Sequence, residues 1–428
     1  MIDNLKPQTS NFKPQTSNLK PATRLNSLPR YNNRLVFIAA CMGMLLFGIE
    51  LITLGSVASD LKLKFHLDEI ASGTLFSILP LGILIGSVVF GPIADKFGYK
   101  WLLVFSCFGF FISFEGIATA QSLFWLKISI FFVGVFGGVI NGAVNAVVAD
   151  ISKDSKTANL SLLGVFFGIG ALGMPFILGL LREKYSFEII LQFTGLLIAI
   201  VNVFYAFIKF PLSKQAQGFP LKQSKYLFKE SLLILIGFFL FCQSSYEALI
   251  NNWTTSYLTG YHSIEKGQAL YALSFSVAGL TLMRLLTGSI FRSVAPVRML
   301  IISFLLLIMG DLILRFSNEY YFLVAGLFTI GMGLAGGFPI MLGIVGDQYR
   351  ERLATAFSFV LLFALIGNIL LNYLMGWIAK KWGIEQLSTI IFVELFFMLI
   401  LSIFIYRKKT TDDGRRTTKG SEQMTIDG

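Results

Sequence analysis

Long apolar runs alternate with short polar interruptions along nearly the whole chain. A helix needs about 20 mostly apolar residues to cross the hydrocarbon of a bilayer. Windows of that kind recur at 34–57, 72–91, 101–120, 124–150, 160–181, 187–209, 230–258, 267–288, 297–316, 321–346, 353–378 and 386–406. The pattern predicts an all-α membrane protein of twelve transmembrane helices with short loops. What remains is polar: residues 1–33, a segment at 210–229 and residues 407–428. The first of these repeats KPQTSN at a seven-residue interval without an apolar seam, so a disordered tail is expected. It lacks a short basic region followed by an apolar one, and no cleavable signal peptide is expected.

Composition narrows the class. Apolar residues make up 55% of the chain and charged residues 14%, against roughly 25% charged in soluble domains. The net charge of +11 raises the question of nucleic acid, but its distribution answers differently. With the N-terminus inside, 25 of the 35 Lys and Arg fall on that side and nine outside, with Arg284 inside a helix. This is the loop asymmetry that sets membrane topology. It predicts a multi-pass protein of the cell (inner) membrane with both termini cytoplasmic, and no nucleic-acid partner. Cys41, Cys107 and Cys242 all fall within helices and read as small apolar fillers. His66 and His262, in outer loops, are too few for a metal site.

The chain is also self-similar. A shift of 197 residues brings Ser77 onto Ser274, Gly82 onto Gly279, Gly91 onto Gly288, Gly134 onto Gly331, Asp150 onto Asp347 and Glu188 onto Glu385. One offset holds from the first helix of each half to the last. Two six-helix bundles, 34–209 and 230–406, are therefore predicted, joined by a cytoplasmic linker at 210–229. An even number of helices gives both copies the same orientation. Parallel repeats of this kind place their binding site near the membrane midplane, between the halves.

After the second helix comes GPIADKFGYKW, residues 91–101. With Gly91, Asp95, Lys96, Gly98 and Lys100, it resembles the signature loop of the major facilitator superfamily. Gly permits close helix approach and positive φ, and Asp95 at the cytoplasmic edge can pair with a base in one conformation and release it in another. The second copy keeps Gly288 but has Arg292 and Ala295 at the Asp and second Gly positions. The resemblance spans 34–406. It implies a central cavity lined by helices 1, 4, 7 and 10 and transport by alternating access, and the expectation is a monomer with no cofactor and a proton gradient as its energy source.

A narrower resemblance is to the fucose/glucose–proton symporter branch. It rests on GGVINGAVNAVVAD (137–150), NLSLLGVFFGIGALGMP (159–175), YEALINNWTTSYL (246–258) and AGLTLMRLLTG (278–288). It implies roles for Asn145 in helix 4, for Gly168, Gly170, Gly173 and Pro175 in helix 5, for Glu247 and Trp253 in helix 7, and for Arg284 in helix 8. The chain departs at two points: Asn141 and Gly55 stand where that branch carries its coupling acids.

Ionisable residues inside a bilayer face a cavity or a partner as a rule. The candidates are Glu50, Glu115, Glu247, Arg284, Asp311 and Glu394. Glu50 and Glu247 are related by the repeat, so both are expected on the cavity walls as proton-coupling acids, with a fixed hydrogen bond or direct substrate contact as the other readings. Gln243, Glu247 and Asn251 share a helix face, as do Asn141 and Asn145, and Asn368 and Asn372. With Asn252 and the aromatic Trp253, these form the expected substrate-binding set, because amides both donate and accept and suit a polyol. Bonding between helices is the plainer alternative. Arg284, four residues before Gly288, is expected in a gate or in packing. Asp311 and Arg315 are expected to pair, and Glu115 and Glu394 to lie at the interface.

The expectation is a secondary carrier of a small polar solute, a sugar by class, with proton symport. An exporter of drugs or amphipathic metabolites is the alternative, kept open by the many Phe. Little soluble mass exists for a sensor or scaffold. No G-x-x-x-x-G-K-[ST] loop supports a primary pump, and no nucleophile–base pair or metal cluster supports an enzyme.

Overall fold

The computed structural model describes residues 31–152, 156–211, 230–291, 293–349 and 353–426. The chain forms α1 (Asn33–Phe65), α2 (Glu69–Ala94), α3 (Lys96–Thr119), α4 (Leu123–Ile151), α5 (Lys156–Leu181) and α6 (Phe187–Phe207) in its first half. The second half holds α7 (Ser231–Gly260), α8 (Lys266–Gly288), α9 (Pro296–Phe316), α10 (Tyr320–Gln348), α11 (Leu353–Trp382) and α12 (Gln386–Ile426). Each contains a stretch long and apolar enough to span a bilayer. The side where α1 begins is called the terminal face below, and the opposite side the far face. The tail to residue 30 and most of the linker, 212–229, lie outside the described residues.

Local chemistry sets the helix ends. Asn32 caps α1, accepting from the backbone N–H groups of Arg34 and Leu35, and Asp68 caps α2 through Ala71 N–H at 2.8 Å. Such caps satisfy donors that the helix itself leaves unpaired. Two ends differ from the sequence expectation. α1 runs to Phe65, because the polar residues past 57 find partners while staying helical: Lys62 pairs with Glu69 and Lys64 with Glu188. The expected tail from 407 instead continues α12 to Ile426, a segment with no Pro to break it.

The repeat is visible in the packing. α4 and α10 are offset by 197 residues at both ends. In the first half, a Cβ on Gly82 would strike the Phe131 carbonyl, and one on Gly134 the Leu79 carbonyl. In the second half the same encounters join Gly279 to Phe328 and Gly331 to Ser276. Every member of the second set is its first-half counterpart moved by the one offset, so α2–α4 and α8–α10 are one contact built twice.

The outer surface is apolar. Phe105, Phe193, Leu196, Leu305 and Phe396 are exposed, which suits contact with lipid tails. Trp101, Trp125, Tyr321 and Trp382 are exposed near helix ends, where aromatic rings favour the headgroup level. The halves meet along α1–α7, α2–α11 and α5–α8. The result is two parallel six-helix bundles facing each other, the architecture that the signature-loop resemblance implies.

Candidate functional site

A cavity of about 300 Å³ lies between the halves. Its polar lining comes from α7, which supplies Ser244, Glu247, Asn251 and Asn252, from Asn368 of α11 and from Arg284 of α8. Its apolar walls include Phe47, Phe76, Phe167 and Phe338. Arg284 sits 5.9 Å from the Phe167 ring centroid, a cation–π contact. Glu247 and Arg284 share the cavity with no ion pair between them.

The halves are tied together on the far-face side of this cavity. α1 and α7 touch at Gly55, where any side chain would run into the Asn251 carbonyl. Thr255 Oγ1 donates to the Gly55 carbonyl at 2.6 Å, and Ser77 Oγ to the Ile369 carbonyl at 2.7 Å. Beyond them, Asp60 accepts from both Arg182 and Lys266, and Lys380 Nζ reaches Asp68 at 2.7 Å. That hydrogen bond from Lys380 holds the Asp68 carboxyl below its ordinary range, aided by the Ala71 N–H. The cavity is thus sealed toward the far face.

Several expected site residues are placed elsewhere. Glu50 is 1% exposed, away from the cavity, and both its carboxyl oxygens lack a hydrogen-bond partner. They lie against Gly137 of α4, where a Cβ would stand. Gln243 turns toward α10 and donates to the Leu334 carbonyl at 2.9 Å. Asn145 donates to Asn141 along α4 and contacts Met44 Sδ. Trp253 is 2% exposed, edge-on to Phe76 with its indole N–H on Asn372 Oδ1. Its ring face is buried in protein rather than offered to a solute. Asn372, fully buried, also accepts from Asn252 and donates to Asn368. Gln243 and the Asn252–Asn372 pair bond between helices, Asn145 bonds along its own helix, and of these amides only Asn252 and Asn368 reach the cavity.

Other charged positions differ from expectation. Arg284, expected in a gate or in packing, lines the cavity. Its position near the end of α8 concealed this, because the cavity extends toward the terminal face. Asp311 does not pair with Arg315: it is buried with both oxygens unbonded, while the exposed Arg315 donates to Thr389 Oγ1 at 3.3 Å. The two are one turn apart, but Arg315 reaches outward to Thr389 of α12 while Asp311 stays buried. Glu394 is not interfacial: it is buried on α12 and accepts from Ser245 Oγ of α7. Glu115 is half-buried against Gly195 of α6 near the end of α3.

In the signature motif, Gly98 near the start of α3 breaks the helical path with φ 75° and ψ 167°, a conformation that a side chain would strain. Lys96 lies over Phe97 and Lys100 over Trp101. Tyr99 donates to Asp150 at the end of α4 at 2.9 Å. The Asp95 side chain and Arg292 lie outside the described residues.

Comparison with known proteins gives a consistent picture. A probable nitrate transporter NarT of Staphylococcus carnosus is 24% identical over 340 residues, covering 78% of this chain and 86% of that protein. The inner membrane transport protein YdiN of Escherichia coli is 21% identical over 371 residues, covering 84% and 87%. Among solved structures, the nucleoside transporter NupG superposes with a TM-score of 0.71 at 16% identity, covering 88% of this chain and 98% of that one. A D-xylose–proton symporter superposes at 0.70 with 14% identity, covering 87% and 97%. Residues 35–310 and 292–425 match the sequence profile of the Major Facilitator Superfamily. The chain belongs to that superfamily, and is a multi-pass membrane transporter rather than an enzyme.

Proposed function

We propose that this transporter moves a small polar solute, a sugar or related polyol, by alternating access with proton symport. The observation that carries the reading is the cavity wall on α7. Glu247, Asn251 and Asn252, joined by Asn368, present several donors and acceptors on one side of an otherwise aromatic chamber. Amides and a carboxyl match the paired donor and acceptor character of hydroxyl groups, and Phe faces suit the apolar face of a sugar ring. The volume falls at the lower end of small-ligand sites, in keeping with a monosaccharide. Resemblance to the fucose/glucose–proton symporter branch agrees with this, although Asn141 and Gly55 replace that branch's coupling acids.

Glu247 is the coupling acid that the solute meets, and Glu50 is a second carboxyl held in a pocket with no partner to stabilise its charge. The seal at Gly55, Asp60 and Asp68 makes this the state closed to the far face. The Lys and Arg distribution supports cytoplasmic termini in the cell membrane, so the cavity communicates with the cytoplasmic side. One chain contains the whole site, and a monomer suffices.

A second reading is favoured by Arg284. Its cationic group in the cavity without a carboxylate partner suits an oxyanion, and relatives such as NarT are named as probable nitrate transporters. Proteoliposomes with an imposed inward proton gradient separate the readings. Accumulation of a labelled hexose that collapses with a protonophore is expected. Nitrate uptake with no hexose uptake supports the second reading instead, and dye efflux with neither supports an exporter.

A further inference from the structure

Behind the cavity wall, on the opposite side of α7, lies a second polar cluster. Ser244, Glu247 and Asn251 face the cavity. Ser245 turns away toward Glu394 of α12, donating from Oγ to Oε1. Next to it, the Tyr246 hydroxyl lies within electrostatic reach of both Glu394 and Asp311 of α9. Tyr246 is 0% exposed, Asp311 1% and Glu394 5%. Four oxygens here are buried with no hydrogen-bond partner: Glu394 Oε2, Tyr246 Oη and both carboxyl oxygens of Asp311. Native proteins leave few buried polar atoms unpaired, and three side chains from three helices share this condition.

Arg315 acts electrostatically on Asp311 but makes no ion pair with it, and among the described residues neither Asp311 nor Glu394 has a bonded cation. Arg315, one turn past Asp311, is exposed and engaged with Thr389. The other titratable groups facing the cluster are Cys242 beside Glu394 and Tyr257 near Asp311. Both are neutral in their ordinary forms, and the Tyr257 hydroxyl donates to the Leu314 carbonyl. Two ionised carboxylates buried with one exposed cation a turn away would be costly, whereas protonation removes their charge.

We propose that Asp311, Glu394 and Tyr246 form a proton-binding site in the second half, separate from Glu247 and Glu50. Each acid takes one proton from solvent and returns it on release, and no other bond is made or broken. Ser245 and Tyr246 directly precede Glu247 on α7, so the protonation of this cluster sets how α7 packs on α9 and α12, and with it the aim of the cavity acid. The site does not depend on the solute or on proton-driven transport.

Infrared spectroscopy of the full protein in lipid, titrated around neutral pH, tests it. The carbonyl stretch of protonated carboxyls is expected in the unaltered protein. Asp311→Asn and Glu394→Gln should each remove a distinct component, and Tyr246→Phe should shift those that remain. Loss of a further component in Glu50→Gln calibrates the signal. If either acid variant melts as the unaltered protein does and keeps the full signal, the proposal fails. If both acid variants misfold, Tyr246→Phe decides, and an unshifted spectrum overturns the assignment. Suppression of the signal by sodium at constant pH would also overturn it, in favour of a metal-cation site.

Discussion

Glu50 and Glu247 occupy the same position in two copies of one bundle, yet their surroundings are opposite. Glu247 lines the cavity, whereas Glu50 is closed off with no bonded oxygen. The difference comes from the facing helix. α4 presents Gly137 to Glu50, leaving room for a carboxyl against bare backbone. The repeat counterpart of Gly137 is Leu334, a buried residue with a full side chain where the first half has none. In the second half Gln243, one turn before Glu247, reaches the Leu334 carbonyl instead, and the acid is left to the cavity. The counterparts of Gln243, Asn251 and Asn252 are Leu46, Leu54 and Gly55, so the polar cavity wall belongs chiefly to the second half. A repeat fixes where a residue stands along its helix; the residue across from it decides which space its side chain enters.

The comparison can be broken at several points. The largest expected effect is on transport. Glu247→Gln should abolish accumulation against a gradient in proteoliposomes while sparing exchange, since the amide keeps the hydrogen bonds and loses the proton. Unchanged accumulation would remove Glu247 from coupling. Next, Gly137→Leu imposes the second-half arrangement on the first. It should destabilise the purified protein by about 1–3 kcal/mol, and Glu50→Ala should recover part of that loss in a thermal-melt double-mutant cycle. Strict additivity would show that the two residues do not compete for one space.

A third prediction concerns the α7–α11 link. Asn372→Ala strips the acceptor from both Asn252 and Trp253, and each buried donor left unpaired costs roughly 1–3 kcal/mol. A melting temperature equal to that of the unaltered protein would count against a structural role. The smallest effect is at the far-face seal. Asp60→Asn should weaken the contacts to Arg182 and Lys266 by about 1 kcal/mol or less, read as faster labelling of the cavity from that side. The Asp68 contribution has a defined sign with pH. Its carboxyl is held low by Lys380, so the tie is complete above the ordinary carboxylate range and is lost as pH falls through the lowered value. Labelling that accelerates on raising the pH through neutrality would contradict this.

Much of the fold was legible before any coordinates. Apart from the C-terminal ends of α1 and α12, twelve apolar runs and a single 197-residue offset describe the helices to within about five residues, because a bilayer leaves the backbone few alternatives. α1 overran its expected end because charged residues paired between helices look like a loop in a hydropathy pattern. The site was less legible. Helical spacing places Gln243, Glu247 and Asn251 on one side of α7, but that side is shared between the cavity and α10, and only the partner helix divides them. The bonding of Trp253 to Asn372 depends on two segments 119 residues apart. Glu394 and Asp311 read as edge or paired charges because sequence shows depth along a helix but not which neighbour it faces.

The central contrast is between one repeat acid open to the solute and one closed away. A water-soluble maleimide tests it without knowledge of the substrate. In a background lacking the three native cysteines, all buried, Glu247→Cys and Glu50→Cys would be labelled separately on the purified protein. The account predicts that position 247 reacts at least an order of magnitude faster and is protected by a transported solute. Equal rates, or faster reaction at position 50, would contradict it.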